Sequence, residues 1–368
     1  MATIHAHRGE DLKIAATTLS KRRGSLRDAA LLQVLLTWAR LNPEGSLDLT
    51  SKLPGGAAVG LAEACDYSSG LALMAVCGAV KVNGEAMHRG VALAAGRDRI
   101  EATYRGNFDS LLKGRTVDLL CVSGAERQYI KPLFRAQGPR GVKDKYDLKP
   151  TVRGLASLAG STSDFDEETV SALATLTHEL FENTQEHATT DWDGSPYRRH
   201  VELLTASWVV LSDEAARNDL LINSSLADYW KSLAPWQVGD RQVAGVCFSF
   251  LDSGPGMASR LLGRAYHDLS AQEEEEALRN CLRRGFTSKR EDGTGGGYRD
   301  VLTQVASASG FVRVRSGRLA LFRAFSPGVD HANVCEDFQH WYQDGRTLHR
   351  VAGSLISVFI PFPRPVAA

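Results

Sequence analysis

Several signals that would place a protein quickly are missing from this chain. Neither sign of charge dominates: Lys plus Arg and Asp plus Glu number 43 each among 368 residues, so no global field draws it to nucleic acid or to an anionic bilayer. No run of about 20 apolar residues could span a membrane. The opening, Met1 to Glu10, carries His5, His7, Arg8 and Glu10 where a secretory leader would have an apolar core. The six cysteines, Cys65, Cys77, Cys121, Cys247, Cys281 and Cys335, include no Cys-x-x-Cys pair, which removes the common zinc and dithiol spacings. A cytoplasmic protein with reduced thiols is expected. Gly55-Gly56 is not followed by Gly-Lys-Ser/Thr, so it reads as a turn rather than a phosphate loop of that type.

What is present is 43% apolar residues, enough for sizeable cores, and a length that fits two domains. Residues 1–150 are expected to form an N-terminal α/β domain. Ser25 reads as the cap of a helix Leu26 to Leu41 with Leu31, Leu32, Leu35, Leu36 and Trp38 on its apolar face. After the Asn42-Pro43-Glu44-Gly45 turn, a second helical stretch is expected from Ala57 to Val80. Val80 to Glu85 carries a turn signal, and Arg115 to Val122 reads as a buried strand closing a small α/β unit near residue 125. His88 and Cys65 have no partner at useful spacing and are assigned to packing. The basic, Gly/Pro-containing segment 135–150 reads as a linker.

The second domain, 151–368, carries the chemistry. Asp164 and Glu167 read as a capping pair for a helix Glu167 to Ala188, in which Leu173, Leu176, Leu180 and Phe181 recur at helical spacing. Glu179, Asn183 and His187 stand four residues apart and share one face. A carboxylate, an amide and an imidazole so placed could polarise a water and hold a phosphate-bound metal; the plainer reading is a solvated polar face. Arg199 to Leu211 reads as a strand, followed by an insert to Asp240 in which Trp230 and Trp236 pack. Val243 to Leu251 is a second, apolar strand that runs into Asp252-Ser253-Gly254-Pro255-Gly256-Met257. There a carboxylate could accept a purine amino group while the glycines let a ligand approach the backbone, or the segment is a simple turn.

Ser270 caps a helix that begins with Glu273 to Glu276 and ends with Arg279, Arg283 and Arg284. That polarity complements the macrodipole, so the acidic run reads as helix stabilisation rather than a metal site. The loop Gly285 to Tyr298 follows, with Gly293, Gly295, Gly296 and Gly297 around Thr294. It leads into a helix and would offer backbone N–H groups to phosphate oxygens, with Lys289 adding charge; the alternative is a bare hinge. Phe311 to Ala324 reads as a hairpin with one apolar and one basic face, and Gly353 to Pro361 as the last strand.

The order Glu-x-x-x-Asn-x-x-x-His, Asp-x-Gly-x-Gly, Gly-x-Gly-x-Gly, Gly-Ser-x-x-x-Val-x-Ile-Pro resembles the ATP-binding domain of the gyrase, Hsp90, histidine-kinase and MutL superfamily, the Bergerat fold, over about residues 160 to 362. The resemblance implies an α+β protein whose C-terminal part is a two-layer α/β sandwich, with ATP and Mg²⁺ as ligands. It implies Glu179 as general base, Asn183 on the metal, His187 beside the nucleotide, and Asp252 on the adenine amino group in a pocket shaped by Gly254 and Gly256. The glycine loop, with Lys289, Gly293, Thr294, Gly295, Gly296 and Gly297, would close over the phosphates as part of a lid from Met257 to Thr294, and Ser354 would support Asp252. Gly296 and Tyr298 replace the leucines usual in that loop, which would loosen the lid. Glu179 favours the members that hydrolyse or transfer phosphate over ordinary sensor kinases. None of the histidines before His178 sits in a phosphoacceptor context, and the chain ends too soon after its last strand for the transducer domain of gyrase and MutL relatives. The expected function is therefore that of an ATP-binding protein, an ATPase or a protein kinase acting on a protein partner or in a homodimer. The alternative is a nucleotide-gated switch without turnover.

Overall fold

In a computed structural model, residues 9–52, 54, 56–123, 125–136, 141–158, 167–212, 214, 223–237, 242–284, 297–331, 333–344 and 348–362 are described. The best guide to the architecture is the strand Val243–Asp252, every residue of which is buried. A strand covered on one face alternates between apolar and polar; one without exposed positions is covered on both. Its even positions, Val246, Phe248 and Phe250, pack with Leu173, Leu176, Leu180 and Phe181 of a helix over Glu167–Ala188. Its odd positions face the other way, Leu251 towards Leu32 and Leu36 of a helix over Ser25–Leu41, Cys247 towards Tyr229 and Trp230 of a helix over Ser224–Ser232.

The chain builds two sheets. In order, the elements that matter are β1 (Leu12–Ala15), α1 (Ala16–Ser20), α2 (Ser25–Leu41), β2 (Ser46–Thr50), α3 (Gly56–Cys65), α4 (Ser68–Val76), β3 (Ala79–Val82), β4 (Glu85–Met87), α5 (Arg89–Ala94), α6 (Arg97–Arg105), α7 (Phe108–Leu111) and β5 (Thr116–Val122). They continue with α8 (Lys145–Ser157), α9 (Glu167–Ala188), β6 (Val201–Leu211), α10 (Ser224–Ser232), β7 (Val243–Asp252), α11 (Met257–Leu262), α12 (Ala271–Arg284), α13 (Gly297–Ser307), β8 (Phe311–Gly317), β9 (Leu319–Ala324), β10 (Gln339–His340) and β11 (Val351–Pro361). The small sheet has the order β1-β2-β3-β4, parallel but for the last pair, which turns through Asn83-Gly84 with both φ angles positive at 51° and 86°. The large sheet is seven-stranded and antiparallel, in the order β10-β9-β8-β11-β7-β6-β5.

The protein is thus mixed α+β as expected, but the large sheet carries three layers rather than two. Helices α8, α9, α12 and α13 contribute to the core on its front face. Helix α2 is apolar nearly all round because it is covered on two sides: Leu35 and Trp38 enter the core of the small sheet, whereas Ala29, Leu32 and Leu36 lie on the back of the large one. Two of its buried polar residues, Gln33 and Thr37, meet a β-bulge in β11 between Val351 and Ser354. A bulge leaves ladder groups without strand partners. Thr37 Oγ1 accepts from Ala352 N at 2.8 Å, and Gln33 Nε2 donates to the Ala352 and Arg315 carbonyls at 3.2 Å.

Other expectations shift in the same direction. The strand at Thr116–Val122 pairs antiparallel with β6 and forms one edge of the large sheet, so it does not close the N-terminal unit. The stretch expected as one helix from Ala57 to Val80 is two helices followed by a strand. Of the segment expected as linker, Lys145 to Pro150 open α8, capped by Asp144, whose side chain accepts from Tyr146 N and Asp147 N. The hairpin's basic face is not open. Arg313 stacks on Trp341 at 4.4 Å, and Arg315 is buried with its guanidinium on the Leu319 carbonyl at 3.0 Å.

Candidate functional site

Three features of the sequence meet at one end of the large sheet. Register places Glu202 of β6 opposite Asp252 of β7, and Ser354 of β11 opposite Ser316 of β8. Asp252 and Ser354 are joined directly, Ser354 N donating to Asp252 Oδ2 at 3.2 Å across 102 residues of chain. Gly254 N donates to Asp252 Oδ1 at 2.8 Å, so the carboxylate bridges the turn that follows it and the last strand. The hydroxyls of Ser316 and Ser354 lie 3.2 Å apart, and Ser316 Oγ accepts from Met257 N at 3.0 Å. The expectation that Ser354 supports Asp252 corresponds to this backbone contact.

Asp252 is 6% exposed. Burial pushes its carboxyl up to about 6 from the ordinary value near 3.8; the N–H groups of Gly254 and Ser354 and the Arg260 charge oppose that rise, while Glu202 adds to it. Two glycines shape the turn. Gly353 has φ +63°, and a Cβ there would stand 1.8 Å from the Asp252 carbonyl oxygen, so only glycine lets the strands approach. Its N–H donates to the Gly254 carbonyl at 2.7 Å. Gly256, at φ +86°, backs onto Ser316 Oγ, 3.1 Å from where a Cβ would be.

Helix α9 crosses the front face with two different flanks. On one, Gln185 donates to Glu202 and His178 Nδ1 lies 2.9 Å from the Lys143 carbonyl. Glu179 and Asn183 fall on the other flank by helical periodicity, and Asp300 of α13 acts on Glu179, which places that flank towards α13. Glu179 is half-buried, and burial holds its carboxyl above the ordinary range, with Glu182 and Asp300 adding to the rise and His178 opposing it. Asn183 is half-buried. The polar column of the sequence is therefore not a freely solvated face. His187 stands in the last turn of α9, its side chain outside the described residues.

Of the glycine loop, Lys289, Gly293, Thr294, Gly295 and Gly296 lie outside the described residues, and Gly297 opens α13. Because α13 leads through Gly310 into the start of β8, and β8 runs towards Ser316, the N-terminus of α13 lies at the Asp252 end of the sheet. The first part of the expected lid, Met257 to Arg284, consists of helices α11 and α12, with Leu278 and Leu282 in the front core. The acidic run stabilises α12. Ser270 and Glu273 form a reciprocal capping box at 3.2 and 2.8 Å, buried Glu274 pairs with Arg318 at 2.6 Å, and Glu275 pairs with Arg279 at 2.8 Å.

Sequence reasoning missed the partners of Asp252. Glu202 is 1% exposed and lies 3.1 Å from His200 Nε2, within the segment read only as the beginning of a strand. A charged residue at an inward position of a buried strand was the available signal. Arg40, at the end of α2, donates through Nε and Nη2 to the carbonyl and hydroxyl of Ser253 at 2.9 and 3.2 Å. Its guanidinium stacks 3.5 Å from the centre of the Tyr197 ring, whose hydroxyl donates to Asp191 at 2.9 Å. Nothing in the local pattern of α2 announces this contact across 213 residues. No protein-family model, curated protein or solved structure matches the chain.

Proposed function

We propose that the end of the large sheet is an adenine-nucleotide site of the Bergerat type and that the protein hydrolyses or transfers the terminal phosphate of Mg-ATP. The observation that carries this reading is the meeting of Asp252 with Gly254 and Ser354, which joins two of the four sequence motifs through one buried carboxylate. The fit to a purine rests on that carboxylate: both oxygens are already oriented by backbone donors, and each oxygen retains a lone pair for an exocyclic amine. The fit to phosphate rests on the start of α13, whose dipole end favours negative charge. Asn183, half-buried on the flank of α9 that faces α13, would hold Mg²⁺ through its amide oxygen.

In this reading Glu179 accepts the proton of an attacking water or hydroxyl. Its carboxyl is raised by partial burial, which brings a carboxylate closer to the basicity a general base needs near neutral pH. When bound, the metal would neutralise charge on the phosphates, which α9 and α13 would orient. A second reading has one observation behind it. Arg40 ties the N-terminal helix to the turn beside Asp252, so nucleotide occupancy has a direct route to the small sheet, as a switch requires.

Steady-state ADP production from Mg-ATP, run beside Glu179→Gln, separates the two. Turnover in the wild type that falls by about a hundredfold or more in the variant supports the base. Nucleotide binding without turnover in either protein favours the switch, and turnover untouched by the substitution removes Glu179 from the chemistry.

A further inference from the structure

Against the turn Gly254-Pro255-Gly256 lies a cavity of about 140 Å³. Asp252, Ser354 and α9 do not line it, but Gly254, Gly256 and Ser316 do, so it adjoins the nucleotide site proposed above across that turn. Leu41, Ala258, Val351 and Ala352 give it apolar walls, and Arg40 with Tyr197 stands at the side where it meets a second, wider groove of about 690 Å³. Arg40 and Tyr197 line both spaces. The groove adds Arg89, Arg198 and Arg199, with Glu44 the only carboxylate among the described residues that line it.

The charges around the cavity are not equivalent. Asp191 is engaged by the Tyr197 hydroxyl at 2.9 Å and by Trp192 N at 2.8 Å, and Glu274 by Arg318 at 2.6 Å. Arg40 has only neutral hydrogen-bond partners, both on Ser253, which leaves Nη1 without a hydrogen bond among the described residues. A half-buried guanidinium fixed by a ring stack and two hydrogen bonds, with one edge unused, is pre-organised to receive an anion. Arg198 in the adjoining groove is exposed. Arg89 and Arg199 sit on backbone carbonyls at the end of α4, Arg89 on Gly78 at 2.7 Å and Arg199 on Ala75 at 3.4 Å, without a carboxylate between them. An apolar slot of this volume accepts a single aromatic ring or a short branched chain.

We propose that this cavity is a second ligand site, for a small molecule with an apolar body and one anionic group, the body filling the slot against the turn and the anion seated on Arg40. Among the described residues lining the wide groove the aromatic rings are Tyr197 and His88, and Arg40 stacks on Tyr197, so the groove offers no run of free rings for successive bases; the site takes a discrete acid rather than a nucleic-acid strand. Neither Glu179 nor Asp252 lines the cavity, which shares the turn Gly254-Pro255-Gly256, Ser316 and Arg40 with the nucleotide reading.

Ligand-observed fluorine NMR on the full chain tests it with four probes of one size: para-fluorobenzoate, para-fluorophenyl phosphate, para-fluorobenzyl alcohol and para-fluorobenzamidine. The expected result is that at least one anionic probe binds at millimolar concentration while the alcohol and the amidine do not. The tighter of the two anions assigns the class as carboxylate or phosphate. Arg40→Met weakens the anion by about tenfold or more, Arg40→Lys recovers part of that loss, and Ala258→Val, which narrows the slot without changing charge, also weakens it. Saturation with ATP leaves the probe bound. Binding of none of the probes, equal binding of all four, displacement by ATP, or full affinity in a folded Arg40→Met protein would each overturn the proposal.

Discussion

At the scale of single residues, Asp252 is the group on which the proposed site depends. Its folded-state carboxyl titrates near 6, above the ordinary 3.8, so the folded protein binds this proton more tightly than the unfolded chain. Its contribution to stability is therefore present below pH 3.8 and lost as pH rises through about 6. The loss is on the order of 3 kcal/mol. We expect the Tm of the nucleotide-free protein to fall across that window by more in the wild type than in Asp252→Asn, followed by calorimetry in matched buffers. Identical pH profiles would show that another group carries the dependence. Asp252 itself was legible because aspartate interrupting an apolar strand before two glycines is conspicuous. Glu202 left only the weak signal of a charge at an inward strand position, and His200 and Arg40 left none, because their significance lies in register and in a contact between distant segments.

At the scale of elements, regular spacing was readable and interruptions were not. The helix at Glu167–Ala188, the strands at Val201–Leu211 and Val243–Asp252 and the hairpin at Phe311–Ala324 follow from periodicity. The break at Asp66-Tyr67 between α3 and α4 was missed because alanine-rich sequence continues on both sides of it. The bulge in β11 was likewise invisible, although it is what brings Gly353 against Asp252. Two glycines with positive φ separate backbone freedom from close approach. At Gly194, φ +87°, a Cβ would meet nothing within 4 Å, whereas at Gly353, φ +63°, it would overlap the Asp252 carbonyl. Gly194→Ala should cost about 1 kcal/mol. Gly353→Ala should cost more than about 2 kcal/mol, because strain and overlap add, and should weaken nucleotide binding as well. Urea unfolding of the two variants measures the difference; equal costs would mean that the strands part easily at the bulge.

At the scale of the whole molecule, composition and motif order gave the α+β fold class, but not the three layers. A boundary near residue 150 looks natural in sequence because the motifs begin after it. Yet α2 and β5 lie before it, one covering the back of the large sheet and the other forming its edge. A fragment starting at residue 151 would expose Leu203, Leu251 and Leu355 and leave β6 unpaired on one side. Such a fragment should aggregate on size exclusion while the full chain does not, and a monodisperse, native-like fragment would contradict this view of the architecture. The most direct test of the central claim is isothermal titration of the full chain with Mg-ATP, repeated with Mg-GTP and with Asp252→Asn. The expected result is saturable binding of ATP, at least about tenfold weaker binding of GTP, and loss of ATP binding in the variant. Absence of ATP binding by the folded wild type, or equal affinity in Asp252→Asn, would contradict it.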